Sequence, residues 1–112
     1  MNWDDFDLGP RYYVLDGTEP RQVGMMEWAQ EFDLANRRVA ETLLGRVRIS
    51  TVFLGLDHSY SLEGPPLIFE TLVFGGPLDG EMLRCSTWEE AEAAHEAIVV
   101  MVKGAGGGRP CR

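Results

Sequence analysis

Two runs in the middle of the chain set what it can fold into. Arg46-Val47-Arg48-Ile49-Ser50-Thr51-Val52-Phe53-Leu54 is rich in β-branched residues and carries no helical stripe. Leu67-Ile68-Phe69-Glu70-Thr71-Leu72-Val73-Phe74 is the most apolar segment, bounded by Pro65-Pro66 and Gly75-Gly76. Both read as strands, the second central in its sheet. Alternation puts Val47, Ile49, Thr51 and Phe53 on one face of the first and Arg48, Ser50, Val52 and Leu54 on the other. At 112 residues the chain has room for one domain and one core around these strands.

The flanking segments complete the pattern. Tyr12-Tyr13-Val14-Leu15 is a short β-prone run, closed by the turn chemistry of Asp16-Gly17 and Pro20. Met25, Trp28, Ala29, Phe32, Ala35 and Val39 then recur at helical spacing, which predicts an amphipathic helix over about residues 24–36. Val39–Leu44 fits either a continuation of that helix or a strand, and Gly45 as a turn into the next run favours the strand. Gly55–Pro66 reads as a loop. Gly75-Gly76-Pro77 and Asp79-Gly80 read as a hairpin turn into a short strand, Glu81–Cys85. They are not a phosphate loop, which needs a Gly-Lys-Ser/Thr ending and a following helix.

The last helix has the clearest signature. Thr87 with Glu90 three residues on is a capping box, Trp88, Ala91, His95, Ile98 and Val102 form an apolar stripe, and Gly104 is a natural stop. The order β-α-β-β-β-β-α, with short turns between strands, predicts an α+β fold. It is an antiparallel sheet of about four or five strands with two helices on one face. Residues 1–11 read as a flexible acidic arm, 12–103 as a single domain and 104–112 as a Gly-rich mobile tail.

Charge narrows the function classes. With 18 Asp+Glu against 10 Lys+Arg the net charge is −8, unfavourable for direct binding to nucleic-acid phosphates or anionic lipid. No apolar run approaches the roughly 20 residues of a membrane span. The acidic start, Met1-Asn2-Trp3-Asp4-Asp5-Phe6-Asp7, is unlike a secretion signal. Cys85 and Cys111 make no disulfide framework. These features predict a soluble protein of the cytoplasm.

The chemistry-bearing residues are few. Asp57-His58 at the exit of a strand suits a general base or a metal ligand, but no His-x-x-x-His, Cys-x-x-Cys or Asp-rich loop accompanies it. The plainer reading is a turn cap with a hydrogen-bonded histidine. His95 reads as a packed histidine at the edge of the core. Glu70 interrupts an apolar strand and needs a partner, for which Arg46, Arg48 and Arg84 lie on neighbouring strands. A ligand pocket, if built, belongs around Arg46, Arg48, Asp57, His58 and Glu70. Glu89, Glu92 and Glu96 fall on one row of the last helix, at Cβ spacings of about 5–6 Å. With Asp4, Asp5 and Asp7 they would present a negative surface to a basic partner, or simply a solvated face. Trp3, Phe6 and Leu8 give the arm apolar contacts of its own.

Three stretches carry a resemblance: Leu15-Asp16-Gly17, Met26-Glu27-Trp28-Ala29, and Ile49-Ser50-Thr51-Val52-Phe53-Leu54-Gly55-Leu56-Asp57-His58 continued by Gly64-Pro65-Pro66 through Gly75-Gly76. Thr87-Trp88-Glu89-Glu90-Ala91-Glu92 fits as well. Over about residues 12–103 the chain resembles a widespread family of small bacteriophage- and prophage-encoded proteins with no settled activity. The resemblance implies an accessory protein working in the bacterial cytoplasm, of the kind that binds and blocks host machinery such as CRISPR and other defences. The leading expectation is therefore a non-enzymatic inhibitor, without cofactor or metal, whose partner is a nucleic-acid-binding host protein complex. The alternatives are a module for a small metabolite or signal nucleotide and, third, a metal-dependent hydrolase using Asp57, His58 and Glu70. A homodimer would protect an open sheet face or edge.

Overall fold

In a computed structural model the protein is described over residues 11–32, 37–57 and 64–107. It is α+β, as the patterning predicts. The order is β1 (Tyr12–Asp16), β2 (Glu19–Val23), α1 (Met25–Glu31), β3 (Arg38–Leu44), β4 (Val47–Phe53), β5 (Phe69–Phe74), β6 (Met82–Cys85) and α2 (Trp88–Val102). The last four strands form an antiparallel meander, β3-β4-β5-β6, and β1-β2 form a separate two-stranded sheet. Among the described residues no helix is long and apolar enough to cross a membrane.

β4 behaves as its alternation dictates. Ile49, Thr51 and Phe53 point inward with Phe69, Thr71 and Val73 of β5, and all six are buried. Complete burial of a side chain such as Phe69 contributes roughly 1.5–3 kcal/mol. α2 covers this inner face through Ala91, His95, Ile98, Val99 and Val102. Its start is fixed by the expected box: Glu90 N–H donates to Thr87 Oγ1 at 3.0 Å and Thr87 N–H donates to Glu90 Oε1 at 3.2 Å.

The core has a polar layer between two apolar ones. Tyr13, Phe53, Ile68, Phe69 and Ala91 form one cluster, and Ile49, Val73, Ile98, Val99 and Val102 the other. Between them His95, 2% exposed, holds both ring nitrogens on threonine hydroxyls. Nδ1 lies 2.8 Å from Thr51 Oγ1 and Nε2 lies 2.8 Å from Thr42 Oγ1. Thr51 Oγ1 in turn lies 2.6 Å from Thr71 Oγ1. Whichever nitrogen carries the proton, a hydroxyl completes the bond, so a polar ring is buried without an orphan atom. His95 is thus an interior residue, and the expectation that placed it at the edge of the core is corrected.

Four elements depart from the sequence expectation. The segment expected as turn after Asp16 is a hairpin: Gly17 and Thr18 connect β1 to β2, with Gly17 at φ +65°, the glycine-first pattern of a II′ turn. Pro20 is tolerated in β2 because the two-stranded sheet leaves an edge unpaired. α1 stops at Glu31, since Phe32 is already extended at ψ 121°. Residues 33–36 lie outside the described residues. Gly104 does not stop α2; it lacks the positive φ of a glycine cap, and the backbone continues as a π-helical turn over Lys103–Gly107. Leu67 and Ile68 precede β5 rather than belonging to it, and Ile68 packs inward with Phe69.

The N-terminal hairpin and α1 dock on one end of the sheet through rings. Tyr12, Trp28, Phe32, Phe53, Phe69 and Trp88 follow one another at centroid distances of 5.1–6.3 Å. Gly55 lies beneath them at φ +77°, where a Cβ would meet the Phe32 ring at 2.4 Å. Arg21 of β2 ties the hairpin to α1, with Nε on Asp16 at 2.8 Å and Nη1 on Glu27 at 2.9 Å.

Candidate functional site

The face of the sheet opposite α2 is covered by no described element, and it carries most of the side chains with chemical potential. Register defines it. Arg48 pairs with Phe74, Ser50 with Leu72 and Val52 with Glu70 across β4 and β5, while Glu70 pairs with Arg84 of β6. These side chains share the outer face because they alternate with the buried ones.

A β-bulge brings in a further arginine. Ala40 pairs with Thr51 but Arg38 pairs with Val52, so Val39 is an extra residue in β3. Without it Arg38 would sit opposite Phe53, on the core face. With it Arg38 turns to the open face and Val39 packs on the core. Arg37, Arg38, Arg48, Ser50, Val52, Glu70, Leu72 and Phe74 then line a groove of about 570 Å³.

Ion pairs organise the groove. Glu41 accepts from Arg48 Nε at 2.6 Å and lies 3.5 Å from Arg38 Nη1, so one carboxylate holds two guanidiniums. Those arginines keep the Glu41 carboxyl below its ordinary pKa, Arg48 most strongly through its hydrogen bond. The Arg48 guanidinium also stands 5.0 Å over the Phe74 ring. Glu70, half-buried, finds its partner in Arg84 at 3.1 Å. Of the three arginines that the sequence offers it, the one directly across the strand pair is used.

The sequence-predicted site residues separate. Arg48 and Glu70 meet in the groove. Arg46 lies in the turn before β4 and Asp57 beyond its far end, so the strand holds them apart. Asp57 braces the loop instead: its Oδ1 accepts from Leu67 N–H at 2.9 Å, and its own N–H donates to the Arg11 carbonyl at 3.0 Å. His58, like Asp4, Asp5 and Asp7 of the arm, lies outside the described residues. Glu89, Glu92 and Glu96 form an exposed row on α2 and make no ion pair with a described residue. Among the described residues no group of three or more His, Cys, Asp and Glu is placed to hold a metal ion.

Arg37, Arg38, Ser50, Val52, Leu72 and Phe74 are the groove residues that the sequence reading did not single out. For Ser50, Val52, Leu72 and Phe74 the signal was the alternation of β4 and β5. For Arg38 there was none, because its side depends on the bulge. No protein-family model, curated protein or solved structure matches the chain.

Proposed function

We propose that this chain acts by contact with a protein partner, as a small acidic phage accessory protein that binds and inhibits a host defence component in the manner of an anti-CRISPR. The observation that supports it best is the outward row of α2. Glu89, Glu92 and Glu96 stand on a helix whose start is fixed by the Thr87–Glu90 box and whose inner side is fixed by His95, Ile98 and Val99. Carboxylates on such a helix keep a set spacing, with Cβ atoms about 5–6 Å apart, and offer a basic groove a regular row of negative charge. The phage-family resemblance supplies the setting, the bacterial cytoplasm, and a host nucleic-acid-binding effector as the partner.

The test is a phage survival assay in bacteria that carry such a defence system, with wild type and the Glu89→Lys/Glu92→Lys/Glu96→Lys variant. Wild type is expected to protect the phage and the variant to lose protection while keeping its far-UV circular dichroism. Capture of the effector by the purified chain should weaken steeply between low and high salt, because exposed charge pairs are screened. Equal protection by the two proteins would sink the reading.

A further inference from the structure

Charge is unevenly divided between the two sides of the sheet. The helix side carries the Glu89, Glu92 and Glu96 row, whereas the open side carries Arg37, Arg38, Arg48 and Arg84 against Glu41 and Glu70. Among the described residues, four guanidiniums facing two carboxylates leave a surplus of two positive charges on this face, on a chain whose net charge is −8. That local surplus matches a phosphate dianion better than a single carboxylate, which one guanidinium fork satisfies.

The arrangement is preset. Glu41 holds Arg48 through Nε and Arg38 through one Nη, and each guanidinium has five N–H donors, so donors remain to point into the groove. Arg37 makes no ion pair with a described residue. The groove floor is Ser50, which offers a hydroxyl, with Val52 and Leu72 beside it. At one end stands Phe74, 41% exposed, a flat apolar ring held in orientation by Arg48. The volume, about 570 Å³, lies within the usual span of small-molecule sites, roughly 300–1,000 Å³. A long polynucleotide would meet the repulsion of the whole chain, whereas a short anion meets only the local surplus.

We propose that the open face of the sheet binds a nucleoside polyphosphate, its phosphates on Arg37, Arg38 and Arg48 and its base against Phe74 and Leu72. The site is on the opposite side of the sheet from the acidic row of α2, so it stands or falls independently of the protein contact.

Calorimetric titration of the full chain at low ionic strength tests it, with ADP, GDP, CDP and UDP as probes and with pyrophosphate and adenosine as their halves. At least one nucleotide is expected to bind more tightly than about 1 mM, and each half at least about tenfold more weakly. Arg37→Ala should weaken the nucleotide by about tenfold or more, through loss of a charge-assisted contact. Phe74→Ser should weaken the nucleotide and leave pyrophosphate unchanged. Both side chains lie outside the core, and circular dichroism and the thermal midpoint establish that each variant is folded. The proposal is overturned if no probe nucleotide binds below about 1 mM. It is overturned equally if Arg37→Ala binds as wild type does, or if pyrophosphate binds as tightly as the best nucleotide.

Discussion

Replacing Thr51 by valine isolates the polar layer of the core. The two side chains have nearly the same shape, so packing around 0%-exposed Thr51 is retained and only the hydroxyl goes. That hydroxyl serves Thr71 Oγ1 at 2.6 Å and His95 Nδ1 at 2.8 Å, and both are left buried without a partner. Each orphaned group costs about 1–3 kcal/mol. A methyl buried in place of the hydroxyl returns roughly 1 kcal/mol. The net loss expected is about 3 kcal/mol, a large part of the 5–15 kcal/mol that holds a domain together. In urea unfolding followed by tryptophan fluorescence, with a slope of about 1.5 kcal/mol per molar, the midpoint should fall by about 2 M. A second cycle sharpens the test. Thr51→Val/Thr71→Val removes one of the orphans, so its cost should be less than the sum of the single costs by about 1 kcal/mol. A Thr51→Val loss below about 0.5 kcal/mol at unchanged slope would refute the network as the organiser of this layer.

Further outcomes follow from single positions. Burial holds the His95 pKa below its ordinary 6.5, so in the unfolded chain the imidazole takes up a proton first as pH falls. Its contribution is therefore constant above pH 6.5 and is lost as pH drops below it, with a slope of up to about 1.4 kcal/mol per pH unit. His95→Gln should flatten that slope in denaturation at graded pH; an unaltered slope would exclude His95 as its source. Gly55→Ala combines a positive φ with a clash at the Phe32 ring and should cost about 2–4 kcal/mol, against about 1 kcal/mol at Gly45, where a Cβ meets nothing within 4 Å. Thermal melting separates the two, and equal losses would remove the steric part of the argument. The Cys85 thiol is pushed up to about 11 by burial, with Glu90 adding to it. In a Cys111→Ser protein, alkylation at pH 8 should run about a hundredfold slower than for free cysteine, and rapid labelling would count against the burial.

What could be read in the sequence was what alternation and caps encode. β4 and β5 announce themselves because one face of each is apolar or β-branched, and α2 because Thr87 and Glu90 fix its start. β2 could not be read. Glu19-Pro20-Arg21-Gln22-Val23 has little β propensity of its own and is a strand because the Gly17-Thr18 turn folds it back on β1. Tertiary pairing overrides composition there. The same holds for the groove. Arg48 and Glu70 were visible as residues on neighbouring strands, but Arg38 reaches their face only through the Val39 bulge, an offset that hydrophobic pattern does not carry. Arg46 and Asp57 were grouped with them by proximity in sequence, and the length of β4 holds them apart.

The attachment of the N-terminal hairpin bears on how the molecule opens. β1 and β2 bond to each other, and among the described residues the backbone bonds that tie this hairpin to the larger sheet gather just past β4: Tyr13 N–H on the Gly55 carbonyl at 2.9 Å, the Tyr12–Leu56 bridge, and Asp57 N–H on the Arg11 carbonyl at 3.0 Å. The rest of the seam is side-chain packing, the rings of Tyr12, Tyr13, Trp28 and Phe32 together with Leu15. Such a unit can detach as one cooperative piece while the meander and α2 stay folded, at a free energy below that of global unfolding. Its amides would then exchange with solvent earlier than those of β4 and β5. Detachment would also bare Phe53 and Phe69 together, a sticky aromatic surface for as long as the hairpin is away, and aggregation would then start at this seam rather than at the sheet.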